Sequence, residues 1–475
     1  MIGVSPEFVA ACERARAAAE RSGRPVIVSW GTPVPAASGP ALLASASRGT
    51  YPAFVWESAW TGRSIYASGS ALNLVGWGPN RFAAISHTWR QQARAAITVA
   101  AAQPCLVGRF SFFSSSTGAA SDRPDGLMWL PAAQVTLRDG GEPVLTLNAW
   151  ITPDAIPEQA ARPAAWHARR LLEPAPRVSE AEIAATILFE QPSPEGWRDL
   201  VDEAVTAMAA AEFEKVVLAR QTLVLTHSRD PAAELLARLA RSTAGGTLIG
   251  VGRDGEWLVA ATPECLVRLT DGQVHTHSLA GTVPRDLDSG HDATLTARLQ
   301  SDPKLSREQA IVTSFITNAL RAACDDIRAD AARQVVRLAT VQHLETSIQA
   351  TVRDRDETSV LDLAGLLHPT PAVGGYPRDA ALRWIERREP GHRGWYAAPV
   401  GWTDLSGDGE MAVAIRSASI TGNRATVYAG AGLVAGSRAA EEYEETRWKM
   451  RPMLAALGVP DMDRAGATVP TLEVR

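Results

Sequence analysis

The hydrophobic and polar positions of this chain change period several times. After an alanine-rich, helix-like start, the first 150 residues alternate in short runs. Ala53 to Trp60, Ser64 to Ala67 and Cys105 to Phe113 predict strands, and Arg138-Asp139-Gly140-Gly141 predicts a hairpin turn. Near Trp197 the period lengthens: Trp197, Leu200, Val201, Val205 and Met208 recur at helical spacing. After Glu214 the pattern gives way to the β-branched run Lys215 to Leu225. Lys215 therefore sits where a helix hands over to a strand. A helix around Ala232 to Leu239 follows, then strands at Thr247 to Gly252 and Glu256 to Ala261 joined through Asp254-Gly255, and a second pair joined through Asp271-Gly272. Helical spacing returns from Leu295 to Asp325. Strands at Glu410 to Ile420 and Arg424 to Leu433 precede a last helix, Ala439 to Leu457. Antiparallel runs interleaved with helix pairs predict an α+β fold of layered antiparallel β-sheets flanked by helices, not alternating βαβ units.

Proline divides this texture. Pro153, Pro157, Pro163, Pro174, Pro176, Pro192 and Pro194 crowd one stretch, and that density predicts a linker or surface-wrapping segment. The expected organisation is a β-rich subdomain over 1–150, a proline-rich segment over 151–194, a region over 195–460 that holds all the candidate chemistry, and a tail over 461–475. With 46% apolar residues in 475, the chain has ample material for a core. Its net charge of −5 lacks the basic stripe that nucleic acid requires, so small-molecule chemistry is the expectation. Cys12, Cys105, Cys265 and Cys324 follow no metal-ligand or disulfide spacing. With no long apolar run and no signal-like h-region, a cytoplasmic protein is expected, neither secreted nor membrane-spanning.

Of the 47 lysines and arginines only three are lysines: Lys215, Lys304 and Lys449. Arginine stays protonated in proteins. Lysine can lose its proton, so a retained lysine is a candidate base, nucleophile or compact carboxylate ligand. Lys304 lies in the polar run Ser301-Asp302-Pro303-Lys304, which reads as a solvated loop.

Three constellations carry possible chemistry. In the last helix, Glu442, Glu445, Thr446 and Lys449 share a face by the three-and-four rule, and Glu308 from an earlier helix could meet that face. The pattern reads either as a solvated acidic helix or as a hard oxygen site suited to Mg²⁺. Glu264 follows Pro263 at the end of an apolar strand. It reads either as a surface salt-bridge partner or as an acid whose proton is retained by desolvation, opposite the base Lys215. Arg416 and the run Ala429-Gly430-Ala431-Gly432 are candidate contacts for an anionic substrate, with a structural carboxylate the alternative partner for the arginine. Gly281-Thr282 makes a further turn without a dinucleotide or P-loop pattern.

From Trp197 to Leu457 the residues resemble the chorismate-utilising enzymes, and within them the isochorismate synthases; the block Arg393-Gly394-Trp395-Tyr396-Ala397-Ala398-Pro399-Val400-Gly401-Trp402 resembles the menaquinone type, while catecholate siderophore pathways use the same reaction. The resemblance is carried, in order, by Glu214-Lys215-Val216-Val217-Leu218-Ala219-Arg220, Thr262-Pro263-Glu264, Leu279-Ala280-Gly281-Thr282, His343-Leu344-Glu345-Thr346, Leu367-His368-Pro369-Thr370-Pro371-Ala372, Ala414-Ile415-Arg416, Ala429-Gly430-Ala431-Gly432 and Glu442-Tyr443-Glu444-Glu445-Thr446. It implies that Lys215 activates water to attack C2 of chorismate and that Glu264 protonates the departing C4 hydroxyl. Glu308 and Glu445 then match Mg²⁺ ligands, with Glu442 beside them. Arg416, Lys449, Gly430 and Gly432 match positions that hold substrate carboxylates, and Thr282 and His343 match positions lining the ring. Similar anthranilate and aminodeoxychorismate synthases carry glutamine in place of Lys215 and lysine in place of Ala280, so the resemblance implies no glutaminase partner. Salicylate synthases, which go on to expel pyruvate, share both choices. A non-catalytic chorismate-binding paralogue is a further alternative. Gln309 departs from the histidine often found after the first metal-binding glutamate, and the family default is a monomer.

Overall fold

The hairpin signals are realised as pairs of left-handed residues. Asp254-Gly255 and Asp271-Gly272 both take positive φ, and Arg253 pairs with Glu256 and Thr270 with Gln273 across these two-residue turns. Strands built this way fill the molecule, a computed structural model that describes residues 5–48, 52–114, 123–174, 184–242, 245–286, 288–337 and 341–460. Among the described residues they form a thirteen-stranded and a ten-stranded sheet. All strand pairings among the described residues are antiparallel except that of Val26–Pro33 with Ile97–Ala100. The expected α+β layering is what the chain adopts.

The sheets face each other across an apolar layer in which Phe54, Trp56 and Ile249 of one sheet meet Val107, Trp129 and Ala412 of the other. Helices close the outer faces. Pro6–Ser22, Pro157–Leu172 and Pro231–Ser242 cover the larger sheet, and Arg81–Arg94, Pro303–Leu320 and Val360–Leu367 cover the smaller. No helix among the described residues is long and apolar enough to cross a membrane. The four cysteines are free and buried.

The structure departs from the sequence expectations at four places. Residue 150 marks no break in either sheet, because Ala53–Ser58 pairs with Thr247–Arg253 and Cys105–Phe110 pairs with Pro399–Asp404. The proline-rich 151–194 stretch holds a helix, Pro157–Leu172, and a strand, Ala185–Gln191. Pro157 occupies the first helical turn, where its missing N–H costs nothing, and Pro163 lies on the exposed side. The expected tail over 461–475 lies outside the described residues.

The helical stretch from Leu295 is two helices, Ser289–Ser301 and Pro303–Leu320, followed by a strand from Cys324. Asp302 ends the first helix and caps the second, its carboxylate accepting the N–H groups of Lys304 and Leu305, and Pro303 cannot continue the first helix. Finally, the run Glu410 to Ile420 is split. Gly409–Val413 belongs to the smaller sheet and Ser417–Thr421 to the larger, with Arg416 at φ 50° in the crossing.

Candidate functional site

The crossing at Arg416 opens a cleft between the sheets. It encloses roughly 610 Å³ including its mouth, in the range of small-molecule sites. Glu264, Thr282, Glu308, His343, Arg416, Gly430, Gly432, Glu445 and Lys449 all line it. Positions spread over 186 residues of sequence thus meet in one cavity, with Lys215 paired to its lining residue Glu308 and Glu442 close to its lining residue Glu445.

Lys215 opens the strand Lys215–Thr226 and is fully buried, its Nζ donating to Glu308 Oε1 at 2.9 Å. The neighbouring strand Arg424–Val434 pairs Val217 with Gly432 and Ala219 with Gly430. A Cβ on Gly432 would lie 2.7 Å from Glu308 Oε1 and 3.4 Å from Lys215 Cε, so glycine there makes room for the ion pair. A Cβ on Gly430 would lie 2.9 Å from the Tyr396 hydroxyl, and the Gly430 carbonyl accepts from Lys449 Nζ at 2.8 Å.

Glu264 is held by its backbone. Its N–H donates to Thr262 Oγ1 and its carbonyl accepts from Val413 N, while Thr262 Oγ1 donates to the Val413 carbonyl. Burial raises its carboxyl to about 7, against the opposing pull of Lys215, Lys449 and Arg416. A carboxylic acid that keeps its proton near neutrality is the result. Burial of Arg416 lowers its guanidinium to about 10, and Nη2 stands 3.4 Å from His343 Nε2.

Burial, with Arg416 and Lys449 nearby, drives His343 well below the usual imidazole range, so the ring is neutral. Its Nδ1 lies 3.3 Å from the Gly281 carbonyl and 3.1 Å from Thr282 Oγ1. A carbonyl only accepts, which puts the ring proton on Nδ1 and leaves Nε2 to accept from Arg416. Gly281, at φ 73°, supplies the bulge that turns its carbonyl toward the ring.

The last helix, Ala439–Ala456, presents the expected face. Glu442 and Thr446 are buried, and Lys449 Nζ donates to Glu445 Oε1 at 2.6 Å. Thr446 accepts from Arg220 Nη1 at 2.6 Å, and the Arg220 guanidinium stacks 3.6 Å above the Tyr443 ring, so the buried arginine fixes the helix to the strand that carries Lys215. Glu442 lies 3.2 Å from Lys304 Nζ, and its carboxyl is pushed up by burial and by Glu445. Lys304 therefore is not the solvated loop residue expected from Ser301-Asp302-Pro303-Lys304, since Pro303 starts a helix there.

The donor set suits a hard divalent cation. The carboxylates of Glu308 and Glu445 line one cavity, and Glu442 and Glu445 repel each other where water is scarce. No three such groups among the described residues are gathered closely enough to form a ready metal cluster. Each of the three carboxylates is instead paired with its own lysine. Gln309, in place of an imidazole, anchors the Glu308 helix by donating Nε2 to Ser278 O, Ser278 Oγ and Thr346 Oγ1.

Two contributors were missed by sequence reasoning. Tyr396 lines the cavity, stacked 5.1 Å from Tyr428, and Arg220 clamps the last helix. Only the fold shows what either side chain meets.

A family model described as chorismate binding enzyme matches residues 10–458. The chain belongs to the chorismate-binding enzymes. It is 34% identical to the salicylate biosynthesis isochorismate synthase of Pseudomonas aeruginosa over 94% of each chain, and 33% identical to the isochorismate synthase MenF of Bacillus subtilis over 75% of each. Among solved structures it resembles MenF, the menaquinone-specific isochorismate synthase from Escherichia coli, with a TM-score of 0.76 and 28% identity over 94% of this chain and all of that one.

Proposed function

We propose that this enzyme is an isochorismate synthase, catalysing the reversible exchange of the chorismate C4 hydroxyl for one at C2. The observation that carries the mechanistic reading is a buried, proton-retaining glutamate lining the cleft, with a buried lysine paired to Glu308 in the cleft wall. The relatives named above support the overall reaction.

In this reading Lys215 takes a proton from water as the water oxygen bonds to C2. Both double bonds of the ring diene shift, the C4–O bond breaks, and Glu264 gives its proton to the departing hydroxyl. One water enters and one leaves, and the two side chains end with their protonation exchanged, ready for the reverse direction. Arg416 and Lys449 offer cationic donors to the substrate carboxylates, and neutral His343 offers a ring face and a fixed tautomer without another charge. Glu308 and Glu445, with Glu442, would hold Mg²⁺, whose charge would neutralise the ring carboxylate.

Purified protein incubated with chorismate and Mg²⁺, with an EDTA control, tests this by chromatography of the products. Isochorismate approaching an equilibrium mixture, and lost on chelation, is expected. Salicylate with pyruvate would transfer the chain to the lyase-coupled synthases, and unchanged chorismate would favour a non-catalytic binder.

A further inference from the structure

All three lysines of the chain are ion-paired within this site, and Lys304 is the one the reaction does not use. Lys215 meets Glu308 at 2.9 Å, Lys449 meets Glu445 at 2.6 Å and Lys304 meets Glu442 at 3.2 Å. Two helix faces produce this alternation. On Pro303–Leu320, Lys304 and Glu308 stand four residues apart; on Ala439–Ala456, Glu442 precedes Glu445 by three and Glu445 precedes Lys449 by four. Lys304 is fixed in the first turn by Asp302, which accepts its backbone N–H at 2.8 Å.

Glu442 is 4% exposed and stands beside a second carboxylate, a setting in which an unpaired charge is costly. Lys304 answers that charge from a side chain that keeps 36% exposure and does not line the substrate cavity. An ammonium tethered at the edge of the site can swing into solvent at low cost, whereas the fully buried Lys215 cannot.

We propose that Lys304 is a positioning residue that occupies Glu442 in the cation-free protein and competes with the divalent cation for it, so that it sets how tightly the cation binds. The inference rests on the reading of Glu308, Glu442 and Glu445 as the cation ligands. Removing the ammonium removes both a competitor and a nearby like charge, and cation affinity rises.

Titrating metal-free, full-length protein with Mn²⁺, followed by the loss of free-ion signal in electron paramagnetic resonance and by Mg²⁺ displacement, measures this without substrate turnover. Lys304→Gln is expected to bind about three- to tenfold more tightly than the wild type. In the Glu442→Gln background, the same Lys304 substitution should give a smaller gain, since only the like-charge part remains, and an undiminished gain would overturn the competition for Glu442. Circular dichroism on each variant confirms the fold, and Lys304→Met gives a second uncharged variant with the same expectation. Equal or weaker binding by both Lys304 variants overturns the role of Lys304 alone. Absence of saturable binding in the wild type and in every variant overturns the cation site, and this inference with it.

Discussion

The N-terminal strands and the C-terminal cleft both bury cations, but they solve the problem differently. Among the N-terminal elements, Arg63 lies 3.9 Å above Trp402, Arg81 lies 4.9 Å from the Phe82 ring and Arg109 lies 4.1 Å above Trp395. At the cleft, beside the guanidinium of Arg416, three lysines are each set against a carboxylate at 2.6 to 3.2 Å. A guanidinium on an aromatic face keeps its charge permanently and locks two elements together. An ammonium against a carboxylate can exchange a proton or give up its partner. The N-terminal elements thus bury charge that is fixed, while the cleft adds charge that can be exchanged, and the proposed chemistry uses the second kind.

That contrast breaks if charge alone suffices in the cleft. Lys215→Arg keeps the charge and abolishes the exchangeable proton, and isochorismate formation is expected to fall by about 10³-fold or more. Activity within tenfold of wild type would remove Lys215 as the base. Gly432→Ala tests whether the ion pair needs its space: the added Cβ meets Glu308 Oε1 at 2.7 Å, tighter than real contacts allow. Turnover is expected to drop about 10- to 100-fold with the fold intact by circular dichroism, since small displacements of reacting groups are costly. Unchanged turnover would show that Glu308 can shift freely. Arg63→Met probes the fixed end. It removes the stacking on Trp402 and the contact of Nη2 with Cys105 Sγ, and is expected to cost about 1–3 kcal/mol of stability with turnover within twofold. A large loss of turnover at full stability would contradict the division of roles.

Sequence reading located the cleft better than the architecture around it. Hairpins were legible because Asp254-Gly255 and Asp271-Gly272 are local signals, fixed by backbone sterics. The expected domain boundary near residue 150 rested on texture, and texture cannot register that Ala53–Ser58 pairs with a strand almost 200 residues later. The run Glu410 to Ile420 looked continuous because its apolar pattern is continuous. Its break at Arg416 is imposed by pairing with two different sheets. The convergence of the named residues on one cleft was legible through resemblance and through the rarity of lysine, while Lys304 was misread because a polar run next to proline resembles a loop as much as a capped helix start. Arg220 and Tyr396 owe their roles to side-chain direction across sheets, which no local pattern encodes.

The finest test of the exchangeable end concerns whether burial or the surrounding cations govern Glu264. Burial raises its carboxyl from 4.5 to about 7, and Lys215, Lys449 and Arg416 pull the other way without prevailing. A raised value means that the folded protein binds this proton more tightly than the unfolded chain does. The associated stability is therefore complete below pH 4.5 and is lost as pH rises toward 7, levelling off above it. Glutamine cannot ionise, so Glu264→Gln should gain on wild type across that window by about 3 kcal/mol. Paired denaturation curves at pH 5 and pH 8 read the difference, in which the other titrating groups largely cancel. If wild type instead gained on the variant with rising pH, the three cations would be holding Glu264 as an anion. It would then have no proton to give to a departing hydroxyl, and its part in the reaction would be to position substrate.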